Sequence, residues 1–308
     1  MRIVFFGTPD FAAASLEALL ASRHDVVGVV AQPDRPAGRG MKLHKPPVAA
    51  VAEREAIPLL QPAKIRSVEF LASIRGFSAD IAVVVAYGRI LPKPLLEAIP
   101  RGFLNVHGSI LPKYRGAAPI QRAIEAGETE TGVSIMLLDE ELDHGPVYSI
   151  ARTPIGPDER SPDIFSRLAQ IGGREIVSVL DAIESGTARA VEQDHGAATF
   201  AAKIEKDEGD VAWTLSAKSI YDRFRAYDPW PGIRATIEGE PVKLIDVRPE
   251  VAVSAAPGTV VVVDRESFVV ATANGSLRVL VAQRPGKPRV SGGDFARGAR
   301  FAAGTRLS

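Results

Sequence analysis

Apolar residues in the first two-thirds of the chain come as short runs separated by amphipathic stretches. A run such as IAVVVA at 81–86 shows none of the polar alternation of a half-exposed strand. It predicts a strand covered on both faces by helices. Strands are expected over residues 2–6, 26–31, 81–86, 104–107, 134–138 and 147–151. Between the first two, Phe11, Leu16, Leu19 and Leu20 share one face of a helix over 9–20, with Thr8 at the N-cap and Pro9 in the first turn. A long helix is expected over 162–183, ended by Gly186. Alternating strands and helices of this kind predict an α/β, Rossmann-like, doubly wound domain.

The pattern changes in the last hundred residues. Five short strands are expected over 235–237, 242–247, 258–263, 267–272 and 277–283, with turn signals at Pro257-Gly258 and Asn274-Gly275 and a short helix over 216–225 before them. That density of short strands predicts a small OB-like β-barrel. Residues 190–208 have no sustained period and carry clustered charges, so they are expected to link the two. The predicted organisation is a catalytic domain at 1–189, a linker at 190–208 and an OB-like domain at 209–308.

Charge adds little to this picture. The chain has 308 residues, with 37 basic and 37 acidic side chains, which gives no global argument for an anionic partner. Residues 206–308 hold 15 Lys/Arg against 12 Asp/Glu, a small basic excess. The absence of cysteine excludes disulfides, thiolate nucleophiles and zinc–thiolate sites. No apolar run nears the ~18 residues of a membrane span, so a cytoplasmic protein with no membrane contact is expected. Gly7 stands alone after the first strand, followed by Pro9 and Phe11. A dinucleotide fingerprint would place further glycines there, so NAD or FAD is not expected at this turn.

The most informative chemistry lies at 103–121, FLNVHGSILPKYRGAAPIQ. Asn105 and His107 are two apart on a strand end and therefore share a face. An amide donor beside an imidazole suits acyl transfer, one stabilising an oxyanion and the other moving a proton. By itself the pair also fits an ordinary structural contact. The second segment, TGVSIMLLDEELDHG at 131–145, adds a carboxylate. Together the two segments resemble the N10-formyltetrahydrofolate-dependent formyltransferases, in which an Asn-x-His strand end runs into a Ser-Leu-Leu-Pro-like loop and an Asp follows some tens of residues on. The resemblance implies catalytic roles for Asn105, His107 and Asp143, and leaves Asp139 as a solvated or capping residue. Ser109, Ile110, Leu111 and Pro112, with Ile110 as a mild departure, are implied to form one wall of the folate pocket. The strand over 81–87 would add backbone to the pterin site. No firm role falls to Tyr114 or Arg115. The implied formyl donor is 10-formyltetrahydrofolate, with no metal.

The segment QPDRPAGRGMKL at 32–43 places Arg35, Arg39 and Lys42 among glycines and prolines. Such a loop is ordinarily a solvated surface feature. It also resembles the insertion of the family branch whose acceptor is methionyl-initiator-tRNA, which implies that Arg35, Arg39 and Lys42 bind tRNA, Arg39 foremost. The segments at 199–213 and 225–232 resemble the linker and the start of the second domain in that branch, and the likeness extends over residues 2–307. Lys203 and Lys206 are candidates for tRNA backbone contact or plain solvation. Trp230, between two prolines, is expected to be a packing anchor. The histidines show no metal-ligand spacing, and His144 is expected beside the site without a direct role. A monomer is expected. The competing readings are a formyltransferase acting on a small amine, a formyltetrahydrofolate hydrolase, and a non-catalytic RNA-binding protein on the same fold.

Overall fold

The structure, a computed structural model, describes residues 1–37, 42–237, 239–251 and 253–307. It divides into two compact units. One comprises Met1–Pro119, Glu130–Pro154 and Ile164–Ala201, and the other Ile120–Thr129, Ile155–Asp163 and Ala202–Ser308.

In chain order the first unit carries strands β1 (Arg2–Gly7), β2 (Asp25–Val30), β3 (Arg35–Ala37), β4 (Lys42–His44), β5 (Leu59–Leu60), β6 (Ile81–Val85), β7 (Phe103–His107), β8 (Arg115–Gly116), β9 (Glu130–Leu137), β10 (Val147–Pro154) and β11 (Phe200–Ala201). Helices α1 (Asp10–Leu20), α2 (Pro47–Arg54), α3 (Val68–Gly76) and α4 (Lys93–Leu96) fall between the early strands. Helix α5 (Pro119–Glu125) lies, past its first residue, in the second unit, and the long α6 (Ser161–Glu184) lies in the first from Ile164 onward. Seven strands form one sheet in the order β10-β9-β7-β6-β1-β2-β5. Pairing is parallel from β5 to β7. The β9 strand runs antiparallel to both its neighbours.

Every residue of β6 is buried, as its unbroken apolar run requires. On one face Val4, Phe6, Ala82, Val84 and Phe103 pack against Phe70 and Ile74 of α3 and Leu95 of α4. The other face receives α6 at close range. A Cβ at Gly172 would lie 2.7 Å from Val106 Cγ1, and one at Gly173 3.0 Å from Ala18 Cβ of α1. Both helix layers of a doubly wound domain are thus present.

Two local expectations change. Pro9, not Thr8, is the N-cap of α1, in an extended conformation with no side-chain cap. The Thr8 hydroxyl instead donates to the Tyr87 carbonyl at 3.3 Å, and Asp10 supplies the acid of the first helical turn. The expected linker is only partly separate, because its first twelve residues belong to the first unit. Val191 bridges Val147, and β11 pairs with β8.

The second unit holds α7 (Ala217–Ala226), then β12 (Ile233–Ile237), β13 (Glu240–Glu250), β14 (Val260–Val263), β15 (Phe268–Ala271), β16 (Ser276–Gln283), β17 (Val290–Ser291) and α8 (Gly292–Gly298). Its antiparallel sheet runs β12-β13-β16-β15-β14, with β17 added to β16. Phe268, Phe295 and Phe301 form an aromatic cluster with centroids 5.1 to 6.3 Å apart. Trp230 is 54% exposed and does not anchor this core. Buried Trp213 does, fitted closely by Gly258, which adopts φ +87°. Among the described residues, no helix is long and apolar enough to cross a membrane.

Candidate active site

The chain passes from β1 outward through β2 to β5, then returns to the other side of β1 with β6 and β7. Such a reversal opens a crevice at the carboxyl ends of the parallel strands. Those ends are close in register here, with Gly7 beside Val85 and Val84 beside Asn105. Asn105 also pairs with Met136, and His107 with Ser134, so β7 is held from both sides. The period of the strand puts the Asn105 and His107 side chains on one face.

Asp143 joins them. Its Oδ1 accepts from Asn105 Nδ2 at 3.3 Å, its Oδ2 accepts from the Gly116 backbone N–H at 2.8 Å, and Oδ2 lies 3.6 Å from His107 Nδ1. The three residues singled out from the sequence are therefore assembled at one point. His107 Nε2 is 3.0 Å from the Tyr114 carbonyl. A carbonyl only accepts, so Nε2 carries a proton and Nδ1 is the nitrogen turned towards the carboxylate. His107 is 5% exposed and Asp143 8%. Asn105 is half-buried, and one of its two amide hydrogens is engaged by Asp143. Asp143 sits at φ +46°, a left-handed conformation that the surroundings must enforce.

The loop after β7 is tied to the sheet. Ser134 Oγ donates to the Ser109 carbonyl at 2.7 Å and accepts from Leu111 N at 3.1 Å. Ser109 Oγ donates to the Lys113 carbonyl at 2.6 Å. Leu111 packs with Met136 and Val147. Ser109 and Leu111 thus turn inward, and their offer to a ligand is backbone, whereas Ile110 and Pro112 are half-exposed. The bond between Leu111 and Pro112 is cis.

Of the three cations expected to bind tRNA, Arg35 is exposed in β3, with Nη2 3.5 Å from Gln32 Oε1. Gln32 Nε2 donates to the Tyr87 carbonyl at 3.1 Å, just past the end of β6. Lys42 pairs through its backbone with Ala37. Arg39 lies outside the described residues.

Two residues at the site had no assigned role. Gln193, expected in the linker, places its Nε2 within 3.0 Å of the carbonyls of Asp143 and His144 and 2.7 Å from that of Gly145. Buried Arg115 donates to Gln193 Oε1 from Nη2 at 2.7 Å and from Nε at 3.1 Å. His144 stacks on His195, with ring centroids 3.9 Å apart, and its Nδ1 lies 2.7 Å from Asp139. Asp139 also accepts from the Glu141 N–H, a local turn contact.

A Rossmann-like sheet with an amide, an imidazole and a carboxylate assembled at its carboxyl edge is suited to group transfer, and comparison with known proteins gives the class. A formyl transferase family model matches residues 1–180, and a model of the formyl transferase C-terminal domain matches 203–300. The chain belongs to the formyl transferase family.

Within that family, relatives that match this chain over its full length include methionyl-tRNA formyltransferases. The protein of that name from Sorangium cellulosum is 47% identical over 310 residues, covering all of this chain and 99% of the relative. One from Thermus thermophilus is 47% identical over 307 residues, with the same coverage. Among solved structures, an N-formyltransferase from Helicobacter canadensis in complex with folinic acid and dTDP-3-aminofucose superimposes with a TM-score of 0.67 at 16% identity, over 92% of this chain and 99% of that one. HypX from Aquifex aeolicus in complex with tetrahydrofolic acid gives a TM-score of 0.63 at 18% identity, over 97% of this chain but 47% of that longer one. At such identities these two structures speak for the fold.

Proposed function

We propose that this chain transfers the formyl group of 10-formyltetrahydrofolate to the α-amino group of methionyl-initiator-tRNA. The observation that carries the chemistry is the convergence of Asn105, His107 and Asp143 at the carboxyl edge of the sheet. The full-length identity to methionyl-tRNA formyltransferases supports the acceptor.

The amine nitrogen attacks the formyl carbon, and the carbonyl oxygen becomes an oxyanion. Asn105 donates its second amide hydrogen to that oxygen. The attacking amine loses one proton, N10 of the folate gains one, and the bond from N10 to the formyl carbon breaks. Asp143 accepts the amine proton directly or through water, and His107 stabilises the charge and relays the proton. The remaining requirement is placement of two substrates. Backbone from the loop at Ser109–Pro112 and from the end of β6 forms the folate pocket. Arg35, Arg39 and Lys42 engage the acceptor end of the tRNA. The first unit carries the chemistry, and the OB-like second domain grips the tRNA body. No membrane or metal takes part, and the enzyme acts in the cytoplasm as a monomer.

The test is a transfer assay with purified protein and 10-formyltetrahydrofolate, comparing methionyl-initiator-tRNA, methionyl-elongator-tRNA and a panel of small amines. Selective formylation of the initiator tRNA is expected. Transfer only to a small amine contradicts the acceptor while keeping the chemistry, and release of formate without transfer contradicts both.

A further inference from the structure

We infer that Gln193 and Arg115 form a strut that positions Asp143 for proton handling. The inference deepens the proposed function and rests on it for the role of Asp143.

The chemistry of the contacts fixes the orientation of the Gln193 amide. Its Nε2 faces three successive carbonyl oxygens, those of Asp143, His144 and Gly145, at 3.0, 3.0 and 2.7 Å. Carbonyls only accept, so the NH2 end belongs there. Its Oε1 faces Arg115 Nε and Nη2 at 3.1 and 2.7 Å. A guanidinium only donates, so the oxygen end belongs there. A flip would set acceptor against acceptor at one end and donor against donor at the other. Both side chains are buried, so water does not substitute for either partner. Arg115 is steadied in turn by His195, whose Nδ1 accepts from Nη2 at 2.9 Å.

The strut ends on the backbone of the residue whose carboxylate completes the site. Arg115 and its neighbour Gly116 hold Asp143 from two sides. The Gly116 N–H binds the carboxylate at 2.8 Å, while the Arg115 guanidinium acts on the Asp143 carbonyl through Gln193. Asp143 needs such support, because a non-glycine residue at φ +46° relaxes unless its surroundings over-determine it. The arrangement also keeps the arginine one amide away from the carboxylate. Asp143 thereby remains open to His107, whose Nδ1 lies 3.6 Å from its Oδ2.

Gln193→Glu keeps size and shape but turns an acceptor oxygen towards the three carbonyls. Gln193→Met keeps volume and removes both hydrogen-bonding ends. We expect each to lower kcat for formyl transfer by about tenfold or more, as a small misplacement of a reacting group does. KM for 10-formyltetrahydrofolate is expected to stay within about twofold, the split expected when an interaction made in the transition state is lost. Arg115→Met added to Gln193→Met lowers kcat no further, because both act through one contact chain. A kcat near that of the parent in both Gln193 variants overturns the inference, and so does an additive loss in the double variant. Amide hydrogen exchange at Gly116 decides it without any turnover. Loss of the strut frees the Asp143 carboxylate and speeds exchange at that amide, whereas unchanged exchange in Gln193→Glu overturns the strut even where the parent transfers formyl normally. Failure of the parent to transfer to any acceptor removes the proposed function and leaves the exchange result to judge the strut.

Discussion

Asp143 in the first unit and Asp222 in the second are both buried carboxylates, and they are compensated in opposite ways. Asp222 on α7 takes Lys218 Nζ on one oxygen and Arg225 Nη2 on the other, each at 2.6 Å. Arg225 also donates to the carbonyls of Gly156 and Glu159, at 3.3 and 3.0 Å. That charge is neutralised by two permanent cations and closed into the fold. Asp143 is held by neutral donors, Asn105 and the Gly116 N–H, and among the described residues the charge partner it faces is His107, whose charge depends on a proton. A buried acid closed by fixed cations reports on structure, whereas one held open beside an imidazole is equipped to exchange protons.

Substitutions separate the two. Asn105→Ala removes the proposed oxyanion donor and is expected to lower kcat by about 10²–10³ with the fold retained, measured by steady-state transfer alongside circular dichroism. Asp222→Ala strands the buried Arg225 guanidinium and is expected to destabilise the chain by about 3 kcal/mol, read from urea unfolding, with kcat per folded molecule unchanged. A kcat loss matching that of Asn105→Ala would erase the contrast between the two acids. Arg39→Ala tests the basic loop and is expected to raise KM for initiator tRNA by about tenfold while folate affinity holds, as loss of a phosphate contact does. An unchanged rate at subsaturating tRNA counts against the loop.

The smallest effect is a pH dependence. The N–H of Glu266, then the Ser267 hydroxyl, hold the Asp264 carboxyl down at about 2, against an ordinary value of about 3.9. A depressed carboxyl stabilises the fold fully above its unfolded value, and that stability is lost as pH falls through the folded one. Asp264 is partly exposed, so the contribution is expected to be under about 1 kcal/mol. Asp264→Asn should flatten the fall in melting temperature between about pH 4 and 2. A slope identical to the parent's excludes this carboxyl as a source.

The doubly wound sheet was legible because its strands are continuous apolar runs, and β1, β2, β6, β7, β9 and β10 lie where the pattern places them. Helices α2 and α3 were not. PVAAVAER is rich in alanine, and VEFLASIRG spans only nine residues, so neither presents a sustained apolar stripe. The spacing of Asn105 and His107 made them legible as a pair sharing one face, and the resemblance singled them out, with Asp143, as a candidate site. Gln193 was not, because it works through backbone carbonyls fifty residues away in sequence, and such contacts leave no side-chain pattern. Trp230 misled because a tryptophan between prolines usually packs, yet here the ring stands in solvent.

The most direct test of the central claim is single-turnover formyl transfer by Asp143→Asn at saturating 10-formyltetrahydrofolate and methionyl-initiator-tRNA. The substitution keeps shape and the bond from Gly116 but removes the charge and the proton acceptor. A transfer rate lower by about 10² or more is expected, with tetrahydrofolate binding and melting temperature close to the parent's. A rate close to the parent's would show that Asp143 belongs, like Asp222, to the fold alone.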